Sequence, residues 1–393
     1  MNTFDAGAQP LPILIAGDPR LRERSTEIAA VDSGLIEEAS RLIATLRDFR
    51  ERSGFGRAIS AVQVGVMNRM VAMNLGAGPF ILINPEITWK RDETFLVWDD
   101  CLSVPDVLVH VRRHLSISLT YRDHRFRLRR WNRLPPDLSE LMQHELDHLN
   151  GTLMTDLAEG EGAIQPLSRW AELVAAARPV SRLSLDRIVE ASSRIDPVFL
   201  NTPQYECQAL SAALGAKLTL KVESANSIGN FEGRGASFLV ARSIDAGTAL
   251  AEDAGTIGLE LLAQDDAFDV VLVPLGNGAL LNGVARWLKA ASPATEVIGV
   301  SAMAETATAI ANAVAVPTPI AEGAADMFGL VDDMVLVDDD MTRRAMDLLR
   351  EHAGLIVEPA GALGVAAILA DPARYVGRSV ATVVRGGNPH TND

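Results

Sequence analysis

His144 and His148 stand four residues apart in QHELDHLNG (143–151), with Glu145 directly after the first histidine. On a helix, residues four apart lie on one face, so both imidazoles can point at one ion. Glu145, one step round, can reach a water bound to that ion and act as a general base. The alternative is an ordinary helix that happens to carry polar residues. Three fixed positions recur by chance in roughly a few per cent of chains this long. The rest of the chain has to decide between the two.

With 393 residues the chain is long enough for two or three domains at roughly 100–200 residues each. Its 48% hydrophobic and 22% charged residues are the balance of a soluble globular protein. The net charge of −15 is uneven: residues 1–165 carry 19 basic and 23 acidic side chains, and the remainder carries 17 and 28. An acidic second half has nothing to neutralise phosphates, which argues against nucleic acid as its partner. Two cysteines, Cys101 and Cys207, are too few for a disulfide framework. The start of the chain lacks the pattern of a secretory leader, and no apolar run approaches the length of a membrane span. A cytoplasmic location without membrane contact is therefore expected.

Three regions separate by pattern. Residues 1–165 mix short apolar strands (RMVAMNL, FILINPEI, LSISLTY) with helices near 35–52 and 137–149, which predicts an α+β domain. Residues 166–183 read as a linker, with two prolines and one short amphipathic segment. From 184 to 393, Ala-rich helical segments alternate with strands such as DVVLVPLG, EVIGVSA and VATVV, which predicts an α/β domain on a mostly parallel sheet.

A tetrahedral catalytic ion needs a third protein ligand and one open position. Cys101 in WDDCLSVPD is a candidate, the alternative being a buried apolar thiol. GRAISAVQVGV (56–66), DDCLSVP (99–105) and QHELDHLNGTLMTD (143–156) follow one another in the order and spacing of the three peptide deformylase motifs. Over roughly residues 10–157, including GDPRLRE (17–23), the chain resembles that family. The resemblance implies that Cys101, His144 and His148 hold the ion and that Glu145 is the catalytic carboxylate. It implies that Gln63 and the Leu102 backbone N–H bind the formyl oxygen. In the family the ion is often Fe2+, with Zn2+, Ni2+ or Co2+ as substitutes.

The motifs also depart from the family pattern. Ala58, Ile59 and Ser60 replace a glycine, a leucine and an alanine, and Asp99 and Asp100 replace a glutamate and a glycine. Asp100 adds a negative charge beside the ligand cysteine. Arg57 brings a cation to the first motif, with a solvated surface arginine as the expected reading. The ligand set and Glu145 are unchanged, so hydrolysis is expected, whereas the substrate groove is altered.

From Leu185 onward the chain resembles the fold-type II pyridoxal-phosphate (PLP) enzymes, in particular threonine dehydratases, in truncated form. LDRIVEASSRI (185–195), the run 201–224, GTIGLELL (255–262), VPLGNGALLNGVA (273–285), VEPAGALGVAAIL (357–369) and VVRGGN (383–388) carry the likeness. Those enzymes bind the cofactor through the lysine of S-F-K-x-R-G. Here the stretch is NFEGRGA (230–236), with Glu232 in the lysine's place, and a carboxylate cannot form an imine. The substrate loop expected after it is reduced to a bridge between Ala236 and Gly255. Arg385 aligns with a serine that faces the cofactor ring. GNGAL (276–280) retains a loop that could cradle an anion, or serves only as a tight packing turn. PLP is not expected, and the domain reads as catalytically dead.

The expected function is metal-dependent hydrolysis of an N-formyl amide, releasing formate from a formylated peptide or small amine. The second domain would act in recognition or assembly, with a homodimer through its uncovered cleft face. The alternative is a non-catalytic binding or regulatory protein built from two decayed enzymes, against which the intact ligand set speaks.

Overall fold

The computed structural model describes residues 7–173, 183–236, 246–264, 268–303, 326–327 and 329–387. The chain divides into two compact units, Met1–Val180 and Ser181–Asp393. Among the described residues no helix is long and apolar enough to cross a membrane.

In the first unit, α1 (Ser33–Ser53) starts at Asp32, whose carboxylate accepts the Leu35 N–H, and stops at Gly54. Its Leu35, Leu42, Ile43 and Leu46 are buried against Ile59, Met70, Ile81 and Ile83. Those partners lie on an antiparallel sheet built from β1 (Ala58–Ser60), β2 (Met70–Asn74), β3 (Pro79–Lys90), β6 (Ile117–Arg122) and β7 (Leu128–Trp131), in that spatial order. A second antiparallel sheet joins β4 (Thr94–Cys101), β5 (Val104–His114) and β8 (Ile164–Pro166). The helix α2 (Pro136–Leu149) has proline in its first turn, where a missing N–H does no harm, and packs against both β1 and β5. It therefore touches both sheets, and its core residues 139–149 are buried apart from Asp147. Gly151 closes it at φ +79°, where a Cβ would come within 2.4 Å of the Arg22 carbonyl oxygen. That contact explains the glycine that ends the histidine motif.

Part of the expected linker folds with this unit. Pro166 pairs with Val107 across β8 and β5, and the short α3 (Trp170–Leu173) follows. Residues 174–182 lie outside the described residues.

The second unit opens with α4 (Leu185–Arg194), capped by Ser184. Its sheet has the order β13-β12-β11-β14-β10-β9. Strands β10 (Lys217–Val222), β11 (Val270–Pro274), β12 (Glu296–Ala302), β13 (Asp333–Val337) and β14 (Ser379–Val384) run parallel, and β9 (Gln204–Glu206) is antiparallel at one edge. Val270 and Leu272 pack with α5 (Gln208–Leu214), α9 (Asp339–Ala353) and α10 (Pro359–Ala370) on one face. Val271 and Val273 pack with α7 (Ala246–Gln264) and α8 (Ala279–Ala291) on the other. Burial on both faces is why the strand reads VVLV without polar alternation. The bridge expected in place of the substrate loop runs from α6 (Gly233–Ala236) to α7, and its residues 237–245 lie outside the described residues.

The helices α7 and α8 meet at Gly283, where a Cβ would lie 1.8 Å from the Ala251 carbonyl oxygen. Gly283→Ala must push the two helices apart. Overpacking typically costs about 1–3 kcal/mol, and a clash with rigid backbone belongs at or above the upper end. The urea unfolding midpoint of the second unit should fall accordingly; an unchanged midpoint would rule out this close approach.

Candidate metal centre

Cys101 ends β4, and His144 and His148 lie one turn apart on the face of α2 that packs between the sheets. The Cys101 Sγ is 3.2 Å from His148 Nε2, which is 3.1 Å from His144 Nε2. All three donor atoms lie within 4.8 Å of one another and all three residues are buried. Two imidazoles and a thiol gathered this closely, away from water, are a donor set that fits a single divalent cation.

The surroundings fit a cation as well. His144 Nδ1 is 2.9 Å from Asp99 Oδ2, a bond that leaves Nε2 free to face the centre. Arg113 donates to the same Asp99 oxygen at 2.8 Å and to Asp147 at 2.5 Å. Burial alone would raise the Asp99 carboxyl, but His144 and Arg113 hold it well below the usual carboxylate range. Burial alone would lower His144, but the Asp99 carboxylate raises it well above the usual imidazole value. Burial, followed by the charge of His144, holds His148 well below it. Asp99 thus stabilises positive charge at the ring that faces the centre, whether proton or metal supplies it.

Glu145 is buried beside His144, and burial raises its carboxyl against the opposing pull of His144 and Ser60. Ser60 Oγ is 2.6 Å from Glu145 Oε2 and 2.9 Å from the Glu145 carbonyl oxygen, so its one proton can serve either acceptor. The Ser60 N–H donates to Gln63 Oε1 at 2.8 Å. This fixes the amide so that Gln63 Nε2 faces Ser103 Oγ at 3.2 Å and Cys101 Sγ at 3.8 Å. Leu102 occupies the two-residue turn between β4 and β5, directly after the ligand cysteine. The six residues singled out from sequence therefore come together around one point.

One reading needs correction. Arg57 is not a solvated surface arginine: it donates to Glu140 Oε1 at 2.5 Å and to the Asp137 carbonyl at 2.9 Å, and only about a quarter of its side chain (26%) is exposed. Of the two acidic residues before Cys101, Asp99 is the one buried against His144. Its signal was available, since strand residues two apart share a face and Asp99 precedes Cys101 by two. Arg113 has no local signal, and Ser103 and Asp147, though inside the motifs, show their partners only where β5, α2 and the β4–β5 turn meet.

A helix-borne pair of histidines with a strand cysteine, set between two antiparallel sheets, is the arrangement of an HExxH-type metallohydrolase. Comparison with known proteins narrows this. Residues 10–162 match the family model of polypeptide deformylase. The peptide deformylase of Bartonella quintana is 32% identical over 152 residues, covering 37% of this chain and 82% of that protein. That of Thermotoga maritima is 34% identical over 144 residues, covering 37% and 84%. The chain belongs to the peptide deformylase family through its first unit.

The second unit is a PLP fold-type II-like α/β domain, and residues 246–386 match the family model of pyridoxal-phosphate dependent enzymes. A threonine deaminase from T.th. is similar at 27% identity and a TM-score of 0.48, over 52% of this chain and 98% of that one. The residues here do not fit a cofactor held as an imine. Glu232 has its carboxylate 3.7 Å from Arg385, which also lies 3.3 Å from Glu358. Lys221 is buried and donates to Glu260 at 2.6 Å and to the Thr202 carbonyl at 2.8 Å. Lys217 lies 3.4 Å from Glu206, and Lys289 lies 2.5 Å from Asp332.

Asp99→Asn removes the charge that orients His144 while keeping the shape. Loss of such a partner typically weakens metal binding about 10–100-fold, whereas His148→Ala removes a ligand outright and should abolish tight binding. Competition with a chelator measures both. Equal metal affinity in wild type and Asp99→Asn would exclude the orienting role.

Proposed function

We propose that the first unit hydrolyses an N-formyl amide, releasing formate and a free amine. The convergence of Cys101, His144 and His148 beside Glu145 and Gln63 is the observation that carries this reading. A divalent ion held by the three ligands would supply the positive charge that acidifies water and polarises a carbonyl. Glu145 takes a proton from the attacking water as its oxygen joins the formyl carbon, and returns it to the nitrogen as the C–N bond breaks. Gln63 Nε2 and the Leu102 N–H donate to the formyl oxygen as negative charge develops there. Ser60 holds the Glu145 carboxylate in place from β1. Burial keeps the carboxylate away from bulk water, so the proton it collects goes to the substrate nitrogen. A divalent ion such as Fe2+ or Zn2+ suits the mixed sulfur and nitrogen donors.

The second unit is proposed to serve recognition or assembly and to carry no lyase chemistry of its own, with a homodimer as the form of assembly. The Glu232–Arg385–Glu358 cluster supports this, because it sets charges where an imine would need a neutral amine.

Glu145→Gln should keep the metal and lose roughly 10²–10⁴-fold in formate release, since an amide neither takes nor returns the proton. Formate release within threefold of wild type would remove Glu145 from the mechanism. Incubation with PLP and borohydride should leave no pyridoxyl group on Lys217, Lys221 or Lys289. Peptide mapping that finds one, tracking with deamination of serine or threonine, would reverse the reading of the second unit.

A further inference from the structure

The hairpin of β6 and β7 concentrates positive charge in a chain whose net charge is −15. Residues 122–133 (RDHRFRLRRWNR) hold six arginines and His124 against one carboxylate, Asp123. Asp123 accepts from the side chains of Arg127 and Arg129. One carboxylate cannot balance six guanidinium groups, so the stretch keeps a positive excess.

Strand register decides where these charges go. Leu119 faces Trp131 and Tyr121 faces Arg129, and this side of the hairpin is turned inward, with Leu119, Tyr121 and Trp131 buried. On the other side Thr120 faces Arg130 and Arg122 faces Leu128. Arg130 is exposed there, and so is Leu128, at 56%. Arg122 also pairs in register with Ile83, which packs in the core beneath α1. The row therefore continues the α1 side of the sheet past β1, β2 and β3, the strands on which that helix packs.

Two of the arginines are braced on rings. Arg122 lies 4.5 Å from the centroid of Phe126, and Arg133 lies 3.4 Å from that of Trp89. Trp89 pairs with Ser118, whose hydroxyl accepts the Arg133 N–H at 3.0 Å. Ser118, Thr120 and Arg122 share one side of β6. The open face thus runs from Arg133 on Trp89, through Arg130 beside Thr120, to Arg122 on Phe126, in two-residue steps of about 7 Å. A surface that served solubility alone would mix its signs. A row of one sign repels itself unless a polyanion neutralises it. A guanidinium laid flat on a ring offers a plane on which a base can stack and N–H groups for phosphate. Spaced cations with stacking platforms on an open sheet are suited to a single nucleic-acid strand. Thr120 sets a hydroxyl in the middle of the row, a group able to meet the ribose 2′-OH that distinguishes RNA.

We propose that the open face of β6 and β7 binds single-stranded RNA, with Arg122, Arg130 and Arg133 contacting phosphates and bases. The inference is independent of the hydrolytic reading of the metal centre.

The test is fluorescence anisotropy of a labelled RNA of roughly twelve nucleotides titrated with the full chain. Binding should be measurable at about 50 mM salt and weaken about tenfold or more by about 200 mM, because about three phosphates are neutralised and each adds about 0.7 to the salt slope. Arg130→Gln combined with Arg133→Gln should weaken binding about tenfold at the lower salt and reduce the slope by about 1.4. Both side chains are exposed, so metal content and far-ultraviolet circular dichroism should stay as in wild type. No binding by wild type at low salt overturns the proposal, as does a double variant that binds within about twofold of wild type. Equal affinity for a DNA strand of the same sequence overturns the assignment to RNA. Displacement of the RNA by polyglutamate at equal charge concentration would give the face to an acidic protein instead.

Discussion

Asp99 and His144 share a hydrogen bond of 2.9 Å in a place that water does not reach, and much of the first unit is arranged so that this can persist. A buried carboxylate without partners is untenable. Here Arg113 from β5 completes its coordination and links it onward to Asp147, on the same helix as the histidines. Strand β4, strand β5 and helix α2 are thereby tied by charge as well as by packing. The consequence is chemical: one nitrogen of His144 is spoken for, and the other can only face Cys101 and His148.

Helix α2 illustrates why such a site needs a whole domain. Its central turns bury histidine, glutamate and glutamine, residue types that favour solvent, and each is accepted because a neighbouring element offers a partner. Gln143 bonds the backbone of His114 and the carbonyl and hydroxyl oxygens of Ser139, Glu145 meets Ser60, and His144 meets Asp99. Apolar contacts of Leu141, Met142, Leu146 and Leu149 carry the helix into place. The polar network then fixes which way its side chains turn.

The second unit holds a charged core of another kind. Arg234, fully buried, donates to both Glu223 and Glu260, and Lys221 and Thr202 complete the cluster. Every charge there has a counter-charge, so the cluster binds β10, α6 and α7 into one body. Lys221, itself fully buried, is occupied in that role. At the carboxyl end of β14, Arg385 has Glu232 and Glu358 as ionic partners.

Local sequence determined the helix of the HExxH motif, the change of texture near residue 184 and the parallel sheet beyond it. These are readable because periodicity and motif spacing are properties of neighbouring residues. The glutamate at position 232 was equally visible, and a carboxylate forms no imine whatever the fold. What only the tertiary structure decided were pairings across long separations. Arg57 reads as a surface cation until Glu140, 83 residues later, is folded against it. Asp99 reads as one of two acidic residues before a cysteine until the ring of His144 and the guanidinium of Arg113 close around it. Burial turns each from a solvated charge into a directed interaction, and burial depends on which distant segments come to lie beside it.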